Sequence, residues 1–74
     1  MRNQKEVRTI RETYLPGIRV RLLKMVDNQA PPIGTEGTVR GVYDIGSVMV
    51  AWDNGSSLNA IPGIDEIEIV EEGR

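Results

Sequence analysis

Hydrophobic and polar positions follow two different periods along this 74-residue chain, and the change comes at Gly17. Over residues 3–14, Val7, Ile10 and Tyr14 recur at i, i+3 and i+7, a narrow apolar stripe of helical period. Arg2 with Glu6 and Arg8 with Glu12 stand four apart, in the weaker charge order for helix pairs. A helix of about three turns is marginal alone, so this one needs a surface to lie on. Pro16 disfavours helix at Leu15, and Gly17 completes the break.

From Gly17 onward the period is two. Ile18, Val20 and Leu22 point one way and Arg19 and Arg21 the other. Leu23 interrupts the alternation, which predicts a bulge or a strand buried on both faces. Residues 27–36 form a loop, since Pro31-Pro32 cannot donate to a ladder. A second strand is predicted over 37–43, a turn at Asp44-Ile45-Gly46, and a third strand with Val48, Val50 and Trp52 on one face. Asn54-Gly55 between β-rich runs predicts a type I′ turn. A fourth strand is predicted over 57–61, a turn at Pro62-Gly63, and a short last strand with Ile67 and Ile69 inward. Five short strands punctuated by turns predict a mainly β fold: a small SH3-like five-stranded barrel with a short N-terminal helix. The expected division is helix over 1–15, barrel over 16–70 and a frayed tail over 71–74.

Composition narrows the functional classes. Histidine and cysteine are both absent, which removes the commonest general base and the usual ligands of zinc and iron–sulfur clusters. The expectation is therefore no enzyme, no metal and no cofactor. A secreted domain of this size ordinarily needs disulfides, so a cytoplasmic setting is expected. No apolar run approaches the ~20 residues that span a bilayer, and no membrane partner is expected. Charge is uneven within a net −2. Residues 1–24 carry seven basic and two acidic side chains, and residues 41–74 carry one basic and seven acidic. Such asymmetry marks either a basic binding face or two ends that lie together and compensate.

Several motifs point to a family. Tyr14-Leu15-Pro16-Gly17-x-Arg19-Val20 is followed by Asp27-x-x-Ala30-Pro31-Pro32-x-Gly34-Thr35-x-Gly37-Thr38-Val39. Asp44-Ile45-Gly46-Ser47 and Val50-x-Trp52-Asp53-Asn54-Gly55-Ser56 complete the set. Over about residues 13–70 the chain resembles the small bacterial proteins known as domain of unknown function 4314. The resemblance implies an accessory protein of a phage or mobile element and supplies no reaction. Relatives look polar at position 43, where this chain has Tyr43.

Each candidate residue carries two readings. Trp52 is a ligand platform of the kind peptide-binding modules use, or core packing beside Val48 and Val50. The 27–36 loop is a recognition loop, or a connector stiffened by proline. Asp53, Asn54 and Ser56 are accounted for by the hairpin, and their spacing is not that of a calcium loop. Gly34 to Thr38 lacks the Lys and helix of a phosphate loop. The expected function is a binding module whose partner is an unidentified protein, contacted through Tyr43, Asp44, Asn28, Ile33 and Trp52. The alternative is a nucleic-acid module using Arg19, Arg21, Lys24 and Arg40. The chain is expected to be a monomer or a weak homodimer, and a third reading of its function is self-association through the Val7/Ile10/Tyr14 stripe.

Overall fold

The computed structural model describes residues 3–70. Its elements are a helix α1 (Gln4–Thr13) and four strands: β1 (Arg19–Lys24), β2 (Glu36–Val42), β3 (Val48–Trp52) and β4 (Glu66–Ile69). The expected tail at 71–74 and the Arg2–Glu6 pair lie outside the described residues.

The helix begins at Asn3, which the periodicity did not single out. Its side chain accepts from Glu6 N at 2.8 Å, and Glu6 Oε1 accepts from Asn3 N at 3.4 Å. This reciprocal pair satisfies two donors that the first turn leaves without intrahelical partners. The helix ends where Pro16 predicted, with Tyr14 N donating to Ile10 O as its last bond. Val7 is buried, and Ile10 and Tyr14 pack against the sheet core. The apolar stripe is therefore packed within the chain itself, which weighs against the reading of it as a surface for self-association.

The strands form one antiparallel sheet in the order β3-β2-β1-β4. Val20, Leu22, Val39, Val48, Val50, Trp52 and Ala60 make the buried cluster on one face. Burying each large aliphatic contributes about 1.5–3 kcal/mol. Leu23 lies at a register shift between Leu22 and Lys24 and is exposed, the bulge that its break in alternation predicted.

Three expectations need correction. The expected five-stranded barrel has four strands in an open sheet, because residues 57–61 do not form a strand. Ala60 bridges Val48, and Trp52 N donates to Ser56 O. These contacts share one antiparallel register, which would set Leu58 opposite Val50. Leu58 instead spends both backbone groups on side chains: its N–H donates to Ser56 Oγ at 3.3 Å, and its carbonyl accepts from Trp52 Nε1 at 2.9 Å. The Asn54-Gly55 turn is not type I′, since no described residue other than glycine has positive φ. Gly55 N donates to Trp52 O, Trp52 N closes onto Ser56 O, and Gly55 sits at φ 95°. That is the three-residue hairpin loop with a left-handed glycine. Finally, Ile69 is 42% exposed although Ile67 packs on the core, because β4 is an edge strand and Ile69 its last residue.

Candidate functional site

The β2–β3 connection repeats the hairpin geometry just described. Tyr43 N donates to Ser47 O at 2.9 Å, and Gly46 N donates to Tyr43 O at 2.8 Å. This closed loop projects Tyr43 and Ile45 outward, at 51% and 67% exposure. Arg11 on the helix braces it from behind, with Nη2 donating to Asp44 Oδ1 at 2.8 Å and to Val42 O at 3.3 Å. Beside the tip lies a groove of about 460 Å³ lined by Val42, Tyr43, Asp44, Ile45, Ser47 and Asn59.

Asn59 also lines a second groove, of about 240 Å³. Its apolar lining is Met25, Val26, Leu58, Ile61 and Ile64, with Asp27 and Asp65 at the same surface. The Pro62-Gly63 turn shapes it: Ile64 N donates to Ile61 O at 3.0 Å, and Ile61 N donates to Asp65 Oδ2 at 2.9 Å. Five of the nine exposed large hydrophobic residues among those described (Val26, Tyr43, Ile45, Ile61 and Ile64) line these two grooves. Apolar surface gathered in this way marks interaction sites more often than apolar residues scattered singly.

The expected contact residues divide. Tyr43 and Asp44 share the first groove. Asn28 and Ile33 are exposed, Ile33 at 63%, but they sit on the β1–β2 loop, before the start of β2, whereas Tyr43 follows its end. A seven-residue strand separates its ends by about 20 Å, so Ile33, close to the start of β2, lies apart from Tyr43, while Asn28 lines neither groove although its neighbour Asp27 lines the second. Trp52 is only 3% exposed, and its indole N–H is bound to Leu58 O. The ring is core, which corrects its place as a contact residue.

Two of the four basic residues of the alternative reading, Arg19 and Arg21, are engaged by carboxylates. Arg19 donates to both oxygens of Asp53, at 2.9 and 2.5 Å, to Thr38 Oγ1 at 2.9 Å and to Glu36 Oε1 at 3.4 Å. Arg21 donates to Glu68 at 2.5 Å and Glu36 at 3.3 Å. Two cations thus meet three carboxylates on the outer face of the sheet. The hydrogen bonds from Arg19, with its charge, hold the Asp53 carboxyl below its ordinary value against an opposing desolvation. The same bonds raise the Arg19 guanidinium further above physiological pH. Lys24 and Arg40 are exposed and make no ion pair among the described residues. Lys24 stands opposite Glu66 in the β1–β4 register.

Period-based reading passed over Val26, Ile45, Asn59, Ile61 and Ile64. The available signal was their type in their place: Ile45 and Ile64 are large aliphatics beside turn glycines, where no strand periodicity calls for them.

Residues 3–70 match the family described as Domain of unknown function (DUF4314). The chain belongs to that family. The match spans the helix and all four strands, so α1 is part of the DUF4314 domain rather than an addition to it. No curated protein matches the chain. No helix among the described residues of this DUF4314 chain is long and apolar enough to cross a membrane.

Proposed function

We propose that this DUF4314 chain is a protein-interaction module, not an enzyme, and that it docks its partner in the paired grooves between the β2–β3 tip and residues 58–65. One observation carries the reading: the gathering of Val26, Tyr43, Ile45, Ile61 and Ile64 around grooves that share Asn59. Loops carried on a rigid sheet commonly hold such sites. The strand order, together with the Ala60 bridge to Val48, supports reading the sheet as an SH3-like barrel opened at Leu58. The resemblance noted in the sequence supports an accessory role in a phage or mobile element, and the absence of cysteine supports an intracellular setting. Tying up Arg19 and Arg21 with carboxylates weighs against the nucleic-acid alternative.

The test compares the full chain with an Ile45→Ser/Ile64→Ser variant as baits in host lysate, with and without nuclease. Captured proteins are expected to resist nuclease and to be lost from the variant. Capture that the variant retains in full, or that nuclease abolishes, overturns the reading.

A further inference from the structure

We propose that the segment held in these grooves is a basic, apolar stretch of another protein, combining Lys or Arg with aliphatic or aromatic side chains. This rests on the reading of the grooves as the interaction surface and adds the chemistry of the partner.

The lining supplies both halves of the argument. Its apolar half holds the exposed Val26, Tyr43, Ile45, Ile61 and Ile64, and the two grooves share Asn59. Its charged half has one sign: Asp27, Asp44 and Asp65 line the grooves, and no Lys or Arg among the described residues does. Arg11 reaches Asp44 from the helix, but Asp27 and Asp65 form no ion pair among the described residues. Each accepts a backbone N–H instead, from Gln29 at 2.7 Å and from Ile61 at 2.9 Å. Those bonds fix where the carboxylates stand without neutralising them.

A partner that covers the apolar floor strips water from these carboxylates. Without compensation that desolvation opposes binding. Lys or Arg flanking the apolar anchors replaces the lost hydration with charge-assisted hydrogen bonds. An acidic flank, or a phosphate backbone, adds like-charge repulsion instead. A two-fold dimer through this face is disfavoured for the same reason, since an isologous contact sets a patch against its own copy. Asp27, Asp44 and Asp65 would then face three more carboxylates.

The experiment selects peptides from a random displayed library against the full chain and maps the selected peptides by amide chemical shifts. The selected pool is expected to be enriched in Lys or Arg together with aliphatic or aromatic residues. Its footprint should fall on Tyr43, Ile45, Asn59, Ile61 and Ile64, and its affinity should weaken roughly threefold or more on raising salt to 0.5 M. Asp27→Asn with Asp44→Asn, both at exposed positions, should weaken the preference for basic peptides, with Asp65 the one lining carboxylate left, while leaving the footprint in place. Neutral or acidic peptides selected onto the same footprint overturn the partner chemistry and leave the grooves as the interaction surface. A footprint elsewhere, or no enriched pool, overturns both. Sedimentation showing a mass that rises with concentration, and that Ile45→Ser prevents, assigns the grooves to a second copy of the chain and overturns the proposal.

Discussion

A methyl group added at Gly37 would lie 2.7 Å from Val50 Cγ1, 2.8 Å from Ala51 O and 2.9 Å from Trp52 Cε3. Gly37 is a buried strand residue opposite Trp52, and the lone indole of the chain packs over it. At Gly55 the situation is reversed: no atom lies within 4 Å of the added carbon, but φ is 95°. The two glycines are therefore required for different reasons, close approach at one and backbone conformation at the other. Gly37→Ala should cost about 1–3 kcal/mol through overpacking, and Gly55→Ala about 1–2 kcal/mol through the left-handed backbone. Gly55→Asn should recover part of the second loss, because asparagine tolerates that region, whereas Gly37→Asn should be worse than Gly37→Ala. Urea unfolding of the four variants checks the contrast, and equal responses to Asn at both sites would refute it.

Among the elements, α1 depends most on the rest of the protein. Its ten residues are too few for stability in isolation, and its stripe is short. What holds it is the Asn3–Glu6 cap at one end, the burial of Val7, the packing of Ile10 and Tyr14 on the core, and Arg11 clasping the β2–β3 loop. Asn3→Ala should remove about 0.5–2 kcal/mol of stability. Amide exchange should speed up first at Glu6 and Val7, whose N–H groups bond to the Asn3 side chain and carbonyl. Unchanged exchange in that turn would show that packing, not the cap, sets the helix start. Sequence periodicity revealed this helix and the interior-facing patterns of β1 and β3. It misjudged residues 57–61, because a run of strand-like residues does not disclose that Ser56 and Trp52 will take the backbone groups of Leu58.

At the scale of the whole molecule, charge that is segregated along the chain is interleaved in space. Arg19 and Arg21 come from the basic first third, while Asp53 and Glu68 come from the acidic part. The depressed value of Asp53 has a definite consequence for stability. A carboxylate whose folded pKa lies below its unfolded value, ordinarily about 3.9, contributes stability that is present above that unfolded value. The contribution is lost as pH falls through the folded value. Unfolding midpoints should therefore be nearly flat from pH 6 to 8, where a chain without histidine has no side chain of ordinary pKa to titrate. They should fall on acidification below about pH 4, and Asp53→Asn should shallow that acid limb. Parallel acid limbs for the two proteins would remove Asp53 from the account.

The sequence by itself determined the helix and its end, the alternation that makes Val20, Leu22, Val48 and Val50 interior, the bulge at Leu23, and the mainly β class. All of these are local: each follows from period, proline or glycine within a few residues. Only the tertiary structure decided that Trp52 is core, that Arg19 and Arg21 are bound by carboxylates up to 47 positions away, and that Tyr43 belongs with Ile61 and Ile64 rather than with Ile33. Those outcomes depend on which strand lies beside which, and a residue's period carries no record of its neighbour across a sheet. The missing strand at residues 57–61 is the clearest instance. Leu58 has the residues of a strand around it, and it is the fold that brings the Trp52 indole within 2.9 Å of its carbonyl and so keeps it from becoming one.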